Sequence, residues 1–450
     1  MHVLFPDALQ MKARGYPKLA YVPFLIGDDG EYPVEANRYL RERACLEWRP
    51  LVPGKEGCYR FNTRQTVKSL DAMARRLMEF LLWCQNSSPN VSWKEISYLD
   101  DLMDRWQVGM LNGTASRSGK KLAAETVNSR ISEACYFLLW AAERGYRDAF
   151  VVMTKVVSDN RKHASYRPGR GDVESRVGSL ASRRRSLSLP SDAAVSLWLS
   201  KLKIRHGEVI ALFSELLIRT GMRISEATQF RVGDLPEKNY GPDNDEWRED
   251  WLQSGEVLCT ISMGIKGPKI TRGSEESVKA RTIYIPIDLA DRMDYYRREG
   301  RPTLIARWVS ATKTKEDRDK RRSSVKTNHF WLGKRGTSLS NSWVRQTWSS
   351  ELTRPWKWSP HMARHLFAVV TLVNYTRELI SVHKISVVPS VGWLHGLLAG
   401  QISIILSPLL GHVSEETTLL YLAAAREKLL QEFKHPTLQW LDECENRTQQ

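Results

Sequence analysis

The side chains in this sequence best suited to chemistry are basic, acidic and phenolic groups gathered in four short stretches. The first is Leu216-Leu217-Ile218-Arg219-Thr220-Gly221-Met222-Arg223-Ile224-Ser225-Glu226. An amphipathic helix is expected to end at Gly221, leaving Arg223 in the turn and Ser225 as the cap of the next helix. An arginine held at such a junction can aim its planar, permanently charged fork at a phosphate. The second stretch is Ser359-Pro360-His361-Met362-Ala363-Arg364-His365. Pro360 fits a helix N-terminus, and His361 and Arg364, three positions apart, share a face. A proton carrier and a fixed cation then sit together at an anion-attracting helix start. His365 breaks that spacing and reads as structural. In the third stretch, Leu409-Leu410-Gly411-His412-Val413-Ser414-Glu415-Glu416, Ser414 reads as the cap of a helix with acids in its first turn. His412 precedes this helix, and Tyr421 follows His412 by nine residues. The fourth stretch, Met263-Gly264-Ile265-Lys266-Gly267-Pro268-Lys269, reads as a turn from which Lys266 can reach a neighbouring site.

Taken one at a time, each stretch has a plainer reading. Arg223 would be a surface arginine, His361 an ordinary helix histidine, Tyr421 a half-buried core tyrosine, and the lysines solvated turn residues. The elements that position them follow from periodicity. Val67, Leu70, Ala74, Leu77 and Leu81 recur at helical spacing. A second helix is expected from about Tyr98 to Leu111. A third runs from Ala124 to about Arg144, with Gly145 where a C-cap glycine belongs. Further helices are expected over Asp192–Lys203, Glu208–Thr220, Leu289–Arg298, Leu339–Leu352, Met362–Asn374 and Thr417–Phe433. Val257–Met263 and Ala280–Ile287 alternate or run β-branched and suggest an antiparallel hairpin. The expected fold is mainly α with a small antiparallel β-sheet.

The chain has 450 residues, with 67 Lys+Arg against 51 Asp+Glu and a net charge of +16. A content of 42% hydrophobic and 26% charged residues excludes wholesale disorder. The charge favours a polyanionic partner, nucleic acid or an anionic membrane surface. No basic amphipathic anchor supports the membrane reading. Six cysteines are scattered without a Cys-x-x-Cys pair, which argues for a reducing compartment and against a zinc site or a disulfide framework. No signal pattern opens the chain and no run reaches the ~18 apolar residues of a membrane span. A soluble, cytoplasmic protein associated with the nucleoid is expected. Five segments are expected: a loosely structured lead over 1–58, a helical unit over 59–154, a basic linker over 155–189, a second domain over 190–435 and a tail over 436–450. The linker carries Arg183, Arg184 and Arg185. A second basic run, Lys313 to Lys326, carries its own acids and reads as a solvated loop.

In this order and at these spacings, the set Arg…Lys…His-x-x-Arg…Gly-His…Tyr resembles the tyrosine recombinase (phage integrase-type) superfamily. The resemblance covers roughly 190–430 and extends to the helical unit at 60–150, which is similar to that family's core-binding domain. It implies that Arg223, His361, Arg364 and His412 surround a scissile phosphate and that Tyr421 is the nucleophile. Glu226 matches a supporting acidic position, and His361 is the acid/base partner. A hairpin lysine would protonate the departing 5′-oxygen. Lys266 fits the Lys-Gly turn, and Lys279 is its rival, because about a dozen extra residues separate Lys266 from the second strand. Arg364 and His412 lie 48 positions apart, more than in compact members, and the intervening stretch (about Glu378 to Ser407) reads as packed helix. The implied activity is site-specific breakage and rejoining of double-stranded DNA through a 3′-phosphotyrosyl link, by a homotetramer with an accessory directionality protein. Neither cofactor nor metal is implied. A type IB topoisomerase, a telomere-resolving strand transferase and a catalytically inactive DNA-binding regulator are the alternatives. Neutralising Arg183, Arg184 and Arg185 together is expected to weaken DNA binding evenly across sequences and flatten its salt dependence. Binding titrations over a salt series check this, and an unchanged slope would return the run to a solvated linker.

Overall fold

A computed structural model describes residues 1–52, 55–59, 64–87, 89–116, 119–157, 173–181, 187–240, 245–266, 274, 276–325, 328–382, 396, 398, 400, 402–411 and 415–432. The chain divides into two compact units, Met1–Arg184 and Arg185–Gln450. Both are built mainly of helices, and the described strands form only two-stranded antiparallel pairs.

In the first unit, β1 (His2–Leu4) pairs with β2 (Phe24–Ile26), with α1 (Ala8–Ala13) between them. Then come α2 (Val34–Cys45), the short strands β3 (Leu51–Val52) and β4 (Lys55–Tyr59), and α3 (Val67–Asn86). Thr66 caps α3 by accepting from the Ser69 N–H. Leu70, Met73, Ala74, Leu77 and Leu81 form its buried face, as the periodicity predicts. A π-helical stretch over Tyr98–Gln107 runs into α4 (Val108–Asn112). α5 (Ala124–Glu143) follows and buries Val127, Ile131, Ala134 and Leu138, with Gly145 taking positive φ beyond its end.

Residues 1–58, expected as a lead, supply Leu25, Tyr39, Leu40, Ala44 and Trp48 to the same core. Tyr39 stands 5.5 Å from both Phe137 and Trp140, and its hydroxyl donates to Glu133 Oε1 at 2.6 Å. The buried Glu42 accepts from Trp140 Nε1 at 2.9 Å and from Arg144 Nη2 at 2.8 Å. The apolar pieces here are too short and too interrupted to show a period, so only these distant partners reveal their burial. Part of the stretch expected as an open linker is also held. β5 (Thr154–Val157) pairs with β6 (Val173–Arg176), and Tyr98, Gln107 and Asn128 donate to the carbonyls of Val177, Gly178 and Leu180. Arg183, Arg184 and Arg185 lie outside the described residues.

The second unit opens with α6 (Asp192–His206), capped by Ser191, and α7 (Glu208–Thr220). A short α8 (Ile224–Thr228), the pair β7 (Asn239–Tyr240) and β8 (Asp245–Glu246), and α9 (Glu249–Ser254) lead to the main hairpin. That hairpin is β9 (Glu256–Met263) and β10 (Glu276–Pro286), with Ile283 opposite Cys259 and Arg281 opposite Ile261. Next come α10 (Ile287–Tyr295), α11 (Arg301–Ser310), α12 (Lys315–Ser324), α13 (Asn341–Ser350) and α14 (Pro360–Val382). The basic run read as a loop is largely α12, which buries no residue and lays Arg321 3.8 Å from the Trp308 ring centre. The last described elements are α15 (Ser407–Leu410) and α16 (Glu415–Glu432). Of the long interval between Arg364 and His412, Leu398, Ile402 and Leu406 are described as buried against α14 and α16.

The larger core of this unit centres on aromatic contacts. Trp198 of α6 meets Trp348 edge-on at 4.5 Å and Trp358 at 5.8 Å. Trp198→Ala is expected to cost about 3–5 kcal/mol, because it removes a fully buried indole and leaves a cavity. Denaturant unfolding of the variant against the parent chain checks this value.

Candidate active site

The site begins at the end of α7, where Gly221 adopts φ +60°. A side chain there would place its Cβ 2.3 Å from Phe367 Cδ1, so only glycine permits both the backbone turn and the close approach. The turn delivers Arg223 to the start of α8. Ser225 was expected to cap that helix, but Glu226 does the work instead. The Arg223 N–H donates to Glu226 Oε2 and the guanidinium Nη1 to Oε1, both at 2.8 Å. The helix begins at Ile224 with Arg223 as its N-cap, so Ser225 lies inside the first turn, and the carboxylate at the third helical position accepts from the N-cap N–H. Ser225 is thereby left to donate to the Gly264 carbonyl at 2.9 Å.

That contact anchors the hairpin. Gly264 has φ +69°, and a Cβ there would meet the Ser225 carbonyl oxygen at 2.1 Å. The end of β9 is pressed directly onto α8, and Lys266, exposed, follows two residues later. Lys279 is also exposed and lies between Glu276 and Arg281, where the register of β10 against β9 shifts.

Glu226 is 1% exposed and holds a second arginine. Arg281, on the inward face of β10 with Ile283 and Ile285, donates from Nη1 to Glu226 Oε2 and from Nη2 to the Leu409 carbonyl. A third arginine, Arg364 of α14, is 4% exposed. Its Nη1 donates to the Gly221 carbonyl at 2.6 Å and its Nη2 to the Leu410 carbonyl. Arg223 completes the set by donating from Nη2 to the Gly411 carbonyl at 3.2 Å. Two guanidiniums, those of Arg223 and Arg281, thus share one carboxylate, and all three meet successive carbonyls of residues 409–411 at the end of α15. The charges do not balance, and the imbalance is visible in Arg364. Burial, then repulsion from Arg223 and Arg281, brings its pKa down to about 9, against the pull of Glu226 and Tyr421. Such a pocket favours an anion, and a phosphate offers acceptors in the planar geometry guanidiniums match.

Tyr421 lies on α16 and is 2% exposed. Burial pushes its phenol above the ordinary range, and the cationic Arg364 and Arg223 recover part of that rise. Its hydroxyl is 3.1 Å from His365 Nδ1. His361 is exposed, and its ring stands 4.3 Å from that of His365 in a T-shaped contact. The structure therefore brings Arg223, Glu226, Arg364 and Tyr421 into one neighbourhood, with His361 at its edge. His412 lies outside the described residues. Among the described residues, no group of three or more His, Cys, Asp or Glu side chains is placed to hold a metal ion.

Two members of the site were not singled out from the sequence. Arg281 carries a signal, since a charge alternating in step with Ile283 and Ile285 marks the buried face of a strand. His365 carries one as well, because residues four apart on a helix share a face as surely as residues three apart. Reading only the i, i+3 pair assigned it a structural role.

No family model matches the chain, and no curated protein matches it. Among solved structures, the chain is similar to the XerH site-specific recombinase bound to a palindromic difH substrate in a post-cleavage complex. Identity is 15% and the TM-score 0.44, over 81% of this chain and 79% of that one. It is also similar to the Tn1549 transposon integrase in complex with transposon right end DNA, at 14% identity and a TM-score of 0.43, over 83% of this chain and 95% of that one. A third similarity is to a lambda integrase dimer bound to a COC′ core site, at 15% identity and a TM-score of 0.39, over 80% and 90% of the two chains. At these identities and scores, the functional reading rests on the chain's own residues.

Arg281→Met is expected to cost about 3–5 kcal/mol, the range for removing one partner of a buried ion pair. Arg281→Lys, which keeps the charge, is expected to cost less. Denaturant unfolding of both variants checks the order, and equal losses would assign the effect to packing alone.

Proposed function

We propose that the chain is a site-specific DNA recombinase that cuts and rejoins double-stranded DNA through a 3′-phosphotyrosyl intermediate, for integration or excision of a mobile element or a related rearrangement. The observation that carries this reading is the gathering of Arg223 and Arg281 on the buried Glu226 carboxylate, with Arg364 on the adjoining carbonyls of Gly221 and Leu410, beside the buried hydroxyl of Tyr421. A phosphodiester entering the pocket offers the guanidiniums charged acceptors in place of neutral carbonyls. As Tyr421 Oη bonds to phosphorus, negative charge grows on the non-bridging oxygens, and fixed cations in a dry pocket stabilise that charge more than the ground state. The P–O5′ bond then breaks, and the 5′-oxygen takes a proton from an ammonium group. Lys266 is the stronger candidate for this acid, because the Gly264–Ser225 contact ties its turn to the helix that Arg223 begins. By the resemblance, His361 and His412 complete the phosphate's surroundings. A partner strand's 5′-hydroxyl reverses the step, so the bond energy is retained without ATP. Pairing two duplexes implies a tetramer and an accessory directionality protein, again by the resemblance.

Tyr421→Phe is expected to abolish covalent attachment to a nicked duplex while leaving DNA binding intact, and gel separation of the adduct checks it. Continued attachment by that variant sinks the assignment. Lys266→Ala is expected to slow cleavage by about 10²-fold or more, and to do so more than Lys279→Ala. The reverse ranking moves the acid to Lys279. Relaxation of supercoiled DNA without a partner duplex would select the topoisomerase alternative, hairpin-ended products the telomere-resolving one, and binding without any adduct the inactive regulator.

A further inference from the structure

The nucleophile in the proposed reaction starts from an unfavourable position. The Tyr421 hydroxyl is buried, its proton is held more tightly than in water, and the pocket's cations offset this only in part. Attack at neutral pH therefore needs an acceptor at the hydroxyl. Among the described residues, the basic atom that meets it is His365 Nδ1, at 3.1 Å, within the reach required of a general base.

The elements that create this contact are packed together. α14 and α16 pack through Ala368, Val369 and Leu372 on one side and Leu422, Ala425 and Leu429 on the other, all buried. One helix therefore fixes two groups: Arg364 faces the phosphate pocket and His365 the hydroxyl on α16. The exposed His361 stands edge-on to the half-buried His365.

We propose that His365 is the general base that takes the phenolic proton of Tyr421. This rests on the recombinase reading above. His365 acts as the neutral imidazole with its hydrogen on Nε2. Its Nδ1 accepts the proton from Tyr421 as the Oη–P bond forms. The P–O5′ bond breaks with its electron pair on the 5′-oxygen, which is protonated by the lysine acid, a separate group. In the return step the 5′-hydroxyl gives its proton back to the lysine amine as it attacks phosphorus, the Oη–P bond breaks, and His365 returns the proton to the departing phenolate.

The test is single-turnover formation of the covalent adduct on a nicked duplex by the full chain, with DNA binding and melting temperature measured in parallel. His365→Ala is expected to lower the rate about 10²- to 10⁴-fold, with DNA binding retained and part of the rate restored by added imidazole. His365→Gln, which keeps a hydrogen-bonding side chain but no basic nitrogen, is expected to be as slow while melting like the parent. A duplex with sulfur in place of the bridging 5′-oxygen has a leaving group that needs no acid. It is expected to rescue the lysine variant and not the His365 variants. A His365→Gln rate within twofold of the parent, rescue of His365→Ala by the sulfur substrate, or a larger loss in His361→Ala would overturn the proposal. Absence of any adduct with the parent chain would instead remove the recombinase reading, and this proposal with it.

Discussion

A single buried carboxylate organises the second unit. Glu226 is shut away from water and accepts from two arginines that come from different parts of the fold, Arg223 at the start of α8 and Arg281 on β10. An unpaired carboxylate would be costly there, and so would either arginine alone. The pairings therefore fix the hairpin against the helix end, and through Arg281 they also fix the turn at Leu409. Arg364 has no acid of its own in this arrangement and leans on two carbonyls. The site is thus assembled by one ion-paired centre yet keeps a surplus of positive charge.

Much of this was legible in the sequence. Helices such as α3, α5, α7 and α14 announce themselves through apolar spacing and terminal glycine or proline. The place of Arg223 in the turn after α7 follows from the helix-end pattern at Gly221, whereas Glu226 is reached through the resemblance alone. What could not be read locally is which distant groups fill the remaining positions. Arg281 is 55 residues from Glu226, and His365 is 56 residues from Tyr421. No periodicity links such pairs, because their meeting depends on the packing of whole elements.

The same limit explains residues 1–58. Tyr39 and Trp48 look unremarkable among turn signals, and their burial depends on Glu133, Phe137, Trp140 and Glu143 far along the chain. The cap at α8 went astray for a different reason. Ser225 is a good capping residue, but the helix starts before it, at Ile224, so its hydroxyl points from the first turn to the hairpin while Glu226 accepts from the N-cap Arg223.

The seat of Gly264 on Ser225 has a consequence for how this hairpin tolerates change. Lys266 follows the anchored glycine by two residues, so its distance from α8 is counted from that side. Added chain beyond it alters only closure entropy, roughly 0.6 kcal/mol for each doubling of length. Hairpin length and lysine placement are therefore independent variables: one can drift while the other is held.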